Sequence, residues 1–214
     1  MNPTEIISAA EVAFGLAISS RQHGLLVQYV RHLWSWSDRV RLISRNDRER
    51  IWERHILDAV SLVNRVPDDC HFIDLGSGAG LPGIPVAILR PDLEVVLLEP
   101  ARMKALFLAE MVSVLDLDHA RAIRSRAESI ATDSSMCGKF QFATARAVAP
   151  LPKLWQWINP LLAREGLLVA MKGPGSLSEF SGGIPEDLHV EEEEISLPLT
   201  GRRRSFVSIR RCST

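Results

Sequence analysis

The sequence predicts an α/β protein with a mostly parallel, twisted sheet. From about residue 67, short apolar runs alternate with stretches of helical periodicity, as in a parallel sheet with helices between its strands. Before that point, apolar residues recur only at helical spacing, and near the C-terminus two strand-like runs flank a turn. We therefore expect an N-terminal helical extension, 1–66, packed on an α/β domain, 67–214, whose last strands form an antiparallel hairpin.

The extension is expected to be helical throughout. Asn2-Pro3-Thr4-Glu5 has the residue types of a helix start, with a capping side chain followed by proline in the first turn. Apolar side chains then recur every three or four residues over about 22–40 and again over about 51–63. Three tryptophans lie on these stripes, and we expect them to be core or docking residues rather than platforms for base stacking.

The α/β domain is expected to contain five strands before its terminal hairpin. They are predicted at about Cys70–Leu75, Glu94–Glu99, Ala120–Ile123, Phe140–Ala145 and Leu167–Met171, with helices at about Arg102–Leu115 and Leu151–Leu162. The hairpin is expected to pair about His189–Glu194 with Arg204–Arg210. Because parallel strands end at one edge of a sheet, side chains that follow different strands should meet there.

Composition limits the class of protein. A hydrophobic content of 46% with 24% charged residues is typical of a globular protein with one substantial core. The three cysteines are widely separated and show no Cys-x-x-Cys spacing, so we expect neither a disulfide framework nor a zinc site. We recognise no leader and no apolar run long enough to span a bilayer, and we expect a cytoplasmic protein without a membrane partner.

The charge is segregated along the chain. The formal net charge of −1 at first argues against nucleic acid, yet arginines crowd residues 39–54 and 202–211 while acidic residues crowd 186–194. Each arginine alone is best explained as part of a solvated face, but the two clusters together predict a basic docking surface. The side chains expected to bind RNA there are Arg41, Arg45, Arg202, Arg203 and Arg204.

The strongest local signal is a glycine-rich loop. The segment Phe72-Ile-Asp-Leu-Gly-Ser-Gly-Ala-Gly80 is an apolar strand that runs into an aspartate and three alternating glycines. Glycine lets backbone approach a ligand closely, as a nucleotide-like cofactor requires. A dinucleotide fingerprint would place its third glycine at Leu81, so the observed spacing favours S-adenosylmethionine. The alternative is a tight strand-to-helix turn without a ligand.

An acidic residue follows the next strand. Glu99 lies roughly 25 residues after Asp74, where a carboxylate can accept both ribose hydroxyl hydrogens of an adenosine. A glutamate at a strand end is common, so Glu99 alone says little. Together with the glycine loop, it predicts a Rossmann-like domain that binds an adenosine-containing cofactor.

Further motifs resemble one family over nearly the whole chain. They are Glu53-Arg-His-Ile-Leu-Asp58, Gly80-Leu-Pro-Gly-Ile-Pro85, Lys104 with Phe107-Leu108, Arg126-Ala-Glu128, Arg146-Ala-Val-Ala149, Pro160-Leu-Leu162 and Lys172-Gly173. With these motifs the sequence resembles the RsmG (GidB) family of small-subunit ribosomal RNA guanine-N7 methyltransferases. It departs from the family, which usually has Trp-Asn, Asn-Leu-Thr and Ser-Arg-Ala, at Trp36-Ser37, Arg41-Leu-Ile43 and Ala145-Arg-Ala147.

The resemblance implies the fold of S-adenosylmethionine-dependent methyltransferases and transfer of a methyl group to N7 of a guanine in 16S ribosomal RNA. It implies that Gly76 and Leu81 line the methionine end of the cofactor, Glu99 its ribose, Ala127 and Glu128 its adenosine, and that Arg146 reaches the cofactor. Asp74, Ser77, Gly78 and Gly80 complete the expected cofactor site.

Two basic residues follow predicted strands at the ligand-binding edge. Arg146 follows the fourth strand and is expected to position the substrate, and Lys172 follows the fifth. Lys172 is a second candidate for the catalytic site, where it would contact the RNA, and a solvated lysine at a loop start is an equally good interpretation. Arg54, His55 and Asp58 lie on adjacent helical turns and are expected to form a structural ion-pair cluster rather than to act in catalysis.

The implied chemistry needs no proton abstraction. Guanine N7 has a lone pair and no proton, so we expect neither a general base nor a metal nor a covalent intermediate, with 16S ribosomal RNA or the small ribosomal subunit as partner. Two alternatives stay open. One is a methyltransferase of small molecules or proteins, and the other is a non-catalytic RNA-binding or ribosome-assembly module that keeps the fold.

Overall fold

A computed structural model describes residues 2–212, apart from the side chain of Arg45. Its strands are β1 (His71–Leu75), β2 (Glu94–Leu98), β3 (Ala120–Ile123), β4 (Phe140–Arg146), β5 (Leu162–Lys172), β6 (Leu188–Ser196) and β7 (Arg203–Arg211). They form one seven-stranded sheet in the order β3-β2-β1-β4-β5-β7-β6. Strands β1 to β5 are parallel, and β7 runs antiparallel to both β5 and β6. The predicted α/β fold is confirmed.

Helices fill the extension and the connections between strands. The extension contains α1 (Pro3–Phe14), α2 (Ser20–Ser37), α3 (Arg45–Arg48) and α4 (Leu57–Val60), and the connections contain α5 (Gly83–Leu89), α6 (Arg102–Val114), α7 (Ala127–Ile130) and α8 (Leu151–Ile158). Short 3-10 turns span Val63–Arg65 and Ser176–Glu179. As the sequence predicts, Asn2 caps α1, because its side chain accepts the Thr4 N–H at 3.1 Å. None of the helices within residues 2–212 combines the length and hydrophobicity needed to cross a bilayer.

The segment expected to be a regular helix over about 51–63 is interrupted. Trp52–Ile56 forms a π-helical turn, closed by a bond from the Leu57 N–H to the Trp52 carbonyl. The residue gained by this wider turn rotates the following side chains by about 100° relative to an uninterrupted α-helix. Trp52, Ile56 and Leu57 are buried in this arrangement, and Asp58 is buried with them.

Two other boundaries differ from the sequence predictions. Helix α8 ends at Ile158 rather than near Leu162, because Pro160 lacks an N–H and disfavours helical backbone at the residue before it. Strand β5 then starts at Leu162 instead of Leu167, with an irregular register against β4 between Phe140 and Phe142. The early start lengthens the central part of the sheet without moving its carboxyl edge.

Both faces of the sheet are covered. Phe72, Leu97 and Phe142 face the helices of the extension together with α5 and α6, and they share one core with them. Their neighbours Ile73 and Ala143 face the opposite side, where α8 packs. This alternation is the period of two expected of strands that are buried on both faces. The extension therefore covers one face of the sheet, while the division of the chain at residue 66 stays a sequence prediction.

Candidate functional site

A cavity of about 730 Å³ opens at the carboxyl edge of the sheet. It lies beside β1 and β4, where the strand order reverses and open α/β sheets bind ligands. One wall consists of the glycine loop with Glu99, Lys104, Arg146 and Lys172. The extension contributes the other wall through Leu42, Ile43, Ser44, Asp47, His55 and Asp58. Two of these residues belong to the segment Arg41-Leu-Ile43, at which the sequence departs from the family it resembles.

Asp74 fixes the turn from β1 into the glycine loop. Its backbone carbonyl accepts the Ser77 hydroxyl at 2.9 Å, and its Oδ2 accepts the Gly83 N–H at 3.0 Å. A Cβ at position 83 would lie 2.6 Å from Asp74 Oδ2 and 2.3 Å from a Leu97 methyl, so only glycine lets α5 start this close to the strand. Burial raises the pKa of Asp74 to about 7. The loop thus rests on a carboxyl group that titrates near neutrality.

Gly78 and Glu99 form the part of the cavity that suits a ribose. Gly78 has a φ of +57°, and the nearest atom to a Cβ built there is the Gly76 carbonyl oxygen at 3.7 Å, so its Cα faces open space. The Glu99 carboxylate accepts the N–H groups of Gly78 at 3.0 Å and Ala101 at 2.8 Å. Each carboxylate oxygen has a second lone pair and can accept a ligand hydroxyl as well. Tyr29, from the extension, supports this loop by donating its hydroxyl to the Ala79 carbonyl at 2.6 Å.

A second cavity of about 130 Å³ adjoins the first. It contains the predicted adenosine residues Ala127 and Glu128, and it shares Gly76 and Val148 with the larger cavity. Trp157 also lines it, and the indole N–H of Trp157 is buried without a hydrogen-bond partner among the described residues. Trp157 was not predicted as a site residue, because nothing in the apolar pattern of α8 separates a cavity residue from a core residue.

Arg146, at the end of β4, lies between the extension and the sheet. One terminal nitrogen of its guanidinium lies 2.9 Å from His55 Nδ1 and 3.8 Å from Asp58 Oδ2. Burial lowers the pKa of His55 to about 4, and the nearby positive charge of Arg146 acts in the same direction. His55 is therefore neutral at physiological pH. The sequence singled out Arg146 and His55 separately, but it gave no sign that they touch.

Arg54, His55 and Asp58 do not bond one another as the expected cluster would. Arg54 pairs with Asp47 at 2.8 Å, and Asp58 accepts a two-point ion pair from Arg204 at 2.7 and 2.8 Å. Because the π-helical turn changes their angular spacing, each side chain meets a partner outside the segment. His55 and Asp58 join the extension to the sheet through Arg146 and Arg204, whereas Arg54 pairs within the extension.

Lys172 lines the cavity, but its ammonium group is engaged. It donates to both Glu179 carboxylate oxygens at 2.9 Å and to the Ala149 carbonyl at 2.8 Å. Glu179 also accepts the Leu151 N–H at 2.6 Å. These bonds tie the end of β5 to the loop that carries Val148. The arrangement does not fit a freely solvated lysine.

The arginines expected to bind RNA divide into two groups. Arg204 is committed to the buried Asp58, and the exposed Arg203 pairs with Glu194. Arg202 is half-buried and has only a long bond, 3.5 Å, to the Arg54 carbonyl, whereas Arg41 is exposed with no ion pair in the part of the chain that the structure describes. The side chain of Arg45 lies outside the part of the chain that the structure describes. Among the described residues, no group of three or more His, Cys, Asp or Glu side chains is placed to hold a metal ion.

Comparison with known proteins identifies the family. Residues 22–204 match the sequence model of the GidB family, described as rRNA small subunit methyltransferase G. The chain belongs to this family. A GidB-family relative from Salinispora tropica, named ribosomal RNA small subunit methyltransferase G, is 37% identical over 92% of this chain and 85% of its own length. The resemblance stated from the sequence motifs is thus confirmed.

Two further comparisons bear on extent and fold. The protein of the same name from Thermobifida fusca is 46% identical over 65% of this chain, and the match spans 57% of that relative, less than two thirds of its length. A crystal structure from Agrobacterium tumefaciens, described as a predicted O-methyltransferase, superimposes with a TM-score of 0.59 over 74% of this chain and 81% of that one, at 22% identity. The Rossmann-like methyltransferase fold of this GidB-family chain is therefore shared well beyond its family.

Proposed function

We propose that the protein transfers a methyl group from S-adenosylmethionine to N7 of a guanine in 16S ribosomal RNA. One observation carries the proposal. In a chain of the GidB family, the glycine loop, Glu99 and Arg146 converge on a single cavity at the point where the strand order of the sheet reverses. This substrate would place the protein in the bacterial cytoplasm, on RNA or on the small ribosomal subunit.

The residues present fit S-adenosylmethionine. The backbone around Gly78 leaves open space beside the Glu99 carboxylate, as a ribose needs, and the adenine would lie in the adjoining cavity of about 130 Å³ at Ala127 and Glu128. Trp157 lines the same cavity, and its buried indole N–H has no hydrogen-bond partner among the described residues. Gly76, Ser77 and Leu81 line the larger cavity, where the methionine part would lie.

The arrangement suits a transfer without proton abstraction. When bound, the cofactor supplies a methyl group on a sulfonium, which is already a good leaving group, and guanine N7 supplies a lone pair. The chain has only to align the two and exclude water. His55, the imidazole in the cavity, already uses Nδ1 as acceptor for Arg146 and carries its proton on Nε2. Arg146 stays protonated and can only donate, so it is suited to orienting a guanine oxygen or a carboxylate.

Incubation with radiolabelled S-adenosylmethionine and purified small ribosomal subunits tests the proposal. We expect label in 7-methylguanosine after digestion of the 16S RNA, and none after incubation with free nucleosides. Label in protein or in small molecules would instead favour the first alternative from the sequence. Binding of subunits without transfer of label would favour a non-catalytic module.

A further inference from the structure

We propose that His55 is a positioning residue, whose neutral imidazole fixes the direction of the Arg146 guanidinium in the cavity. The inference rests on the proposed methyl transfer, because it assigns a task to a residue next to the proposed reaction site. It differs from the structural ion-pair role expected from the sequence, because a neutral imidazole accepts a hydrogen bond from Arg146 and forms no ion pair.

The hydrogen bond has only one possible polarity. A guanidinium has donors and no acceptor, so His55 Nδ1 must accept from Arg146 across the 2.9 Å between them. The imidazole is then neutral, with its hydrogen on Nε2. The lowered pKa of His55, about 4, agrees with this tautomer. The Asp47 carboxylate, 3.8 Å from Nε2, favours it further, because it attracts the Nε2 hydrogen.

Asp58 does not supply the direction. Its two oxygens already accept from Arg204 at 2.7 and 2.8 Å, and the nearest Arg146 nitrogen lies beyond hydrogen-bond distance at 3.8 Å. In the described part of the chain, His55 is the one side chain that hydrogen-bonds Arg146. Asp58 therefore offsets the buried positive charge of Arg146, whereas His55 sets the direction in which the Arg146 guanidinium points.

Other roles for His55 fit less well. As a general base it would need a free lone pair, but Nδ1 is occupied and Nε2 carries the hydrogen. As an ion-pair partner of Asp47 it would need to be protonated, which its burial opposes. The π-helical turn Trp52–Ile56 brings His55 to the cavity wall while its neighbours Trp52 and Ile56 are buried in the core.

Three substitutions distinguish an acceptor at Nδ1 from mere filling of space. In His55→Asn the amide oxygen is as many bonds from Cα as Nδ1, whereas in His55→Gln it is one bond farther away. His55→Ala removes the acceptor. At saturating cofactor, we expect the single-turnover rate on subunits to stay within about threefold of the parent for Asn and to fall at least about tenfold for Gln and Ala, because misdirection of one group by about 1 Å has large effects on rate. Melting temperatures of the three variants serve as the folding control.

Coupling to Arg146 provides the readout that a merely structural histidine would not move. With Arg146→Met, which lacks a donor, His55→Gln and His55→Ala should cause no further loss of rate. Equal rates for Asn and Gln, or losses that multiply with the Arg146→Met loss, would overturn the proposal.

Imidazole ¹⁵N spectra test the contact without any assay of activity. We expect His55 to show a protonated Nε2 and a hydrogen-bonded Nδ1, and Arg146→Met to shift the Nδ1 resonance. A parent protein that methylates nothing would refute the proposed function. An Nδ1 resonance that Arg146→Met leaves unmoved would refute the positioning contact itself.

Discussion

Gly78 is the residue at which backbone geometry and ligand space coincide. Its φ of +57° would be strained for any residue that has a Cβ, and its Cα faces the cavity. We expect Gly78→Val to abolish binding of S-adenosylmethionine in calorimetry, because the side chain would occupy the space beside Glu99. Gly138 is a matched control, since its φ is +67° and a Cβ there meets open space. Gly138→Val should show a similar strain, about 1–2 kcal/mol, with normal binding. Loss of binding in both variants would assign the effect to backbone strain.

Asp74 makes the stability of the protein depend on pH with a defined sign. Burial raises the pKa of Asp74 from 3.8 to about 7, so the folded state holds one more proton than the unfolded chain between those values. The free energy of unfolding should therefore fall as the pH rises through this window, by up to about 1.4 kcal/mol per pH unit from this group, and become level above it. Asp74→Asn is neutral at every pH and should lack this decline.

Urea denaturation of the cofactor-free protein between pH 4 and pH 8 measures this effect. The difference between parent and Asp74→Asn isolates the one group, because all other titrating residues are common to both proteins. Asp118→Asn, at an exposed position, is the control for a change of net charge. Parallel curves for the parent and Asp74→Asn across pH 4–7 would show that Asp74 is charged in the folded protein.

Single residues differ in how far the sequence could reveal them. The places of Gly78 and Glu99 at the cavity were predictable, because a strand, a glycine loop and a second strand end fix their relative positions by local rules. Asp74 lies buried beneath the loop and lines neither cavity, so its predicted contact with the cofactor stays a prediction. Trp157 and Tyr29 were not predictable, because a helical apolar stripe has the same pattern whether its members meet a core or a cavity. The contact of His55 with Arg146 spans 91 residues of chain, and no local pattern encodes it.

At the level of elements, the end of β5 and the 3-10 turn Ser176–Glu179 hold the loop that carries Val148. Lys172 and Glu179 supply the bonds, through the Ala149 carbonyl and the Leu151 N–H. Val148 lines both cavities, and a Cβ at Gly76 would lie 2.7 Å from one of its methyl groups. A displaced loop would therefore alter the cofactor site.

We expect Lys172→Met and Glu179→Gln to weaken cofactor binding to a similar extent, roughly three- to tenfold, as loss of a charge-assisted hydrogen bond would. The double variant should be no weaker than the worse single variant, because both changes break the same contact. Calorimetric titration with the cofactor measures all three. If Lys172 instead contacts RNA, Glu179→Gln will leave both cofactor and subunit affinity near the parent values.

Elements with a regular period were predictable, and those set by tertiary packing were not. Strands β1, β2 and β3 lie within a residue of the predicted spans, because fully buried strands bounded by polar turns leave a clear signal. The π-helical turn was missed, since Ile51, Ile56 and Val60 satisfy a helical stripe with or without an extra residue. The early start of β5 was missed because Leu162 continues the apolar pattern of the preceding helix and the charged pair Arg164 and Glu165 interrupts the strand's own apolar run.

On the scale of the whole molecule, the extension and the sheet are joined by charge as well as by a common core. Asp58 in the extension pairs with Arg204 on β7, and Arg65 donates to Glu193 on β6 at 2.7 Å. Charge is segregated along the sequence, but the fold pairs the acidic strand β6 with the basic strand β7, and the sequence could not separate arginines that hold the fold from arginines that face solvent. That distinction decides which of them are available to a phosphate backbone.

RNA binding should therefore depend on Arg41 more than on Arg204. Arg41 is exposed beside the cavity wall at Leu42 and forms no ion pair among the described residues, so an RNA phosphate would be its first charged partner. Removing one phosphate contact should lower the slope of log affinity against log salt concentration by about 0.7–1. We expect this change for Arg41→Ala in subunit binding across a salt series, with unaltered cofactor affinity. Arg164→Ala is the control, because Arg164 is exposed near the start of β5, at the opposite edge of the sheet.

Arg204→Ala should behave differently from Arg41→Ala and from Arg164→Ala, because Arg204 holds the fold together. It leaves the carboxylate of Asp58, which is 1% exposed, without its two-point partner, and breaking such a buried pair costs about 3–5 kcal/mol. The expected result is a lower melting temperature. Subunit affinity should fall by the same factor at every salt concentration, so that the slope of log affinity against log salt concentration stays unchanged. If Arg204→Ala instead melts like the parent and reduces the salt slope while Arg41→Ala does not, then RNA reaches β7 and the docking surface lies on the hairpin. In that case the ion pair with Asp58 must open when RNA binds, and Asp58→Asn should strengthen subunit binding by freeing the guanidinium.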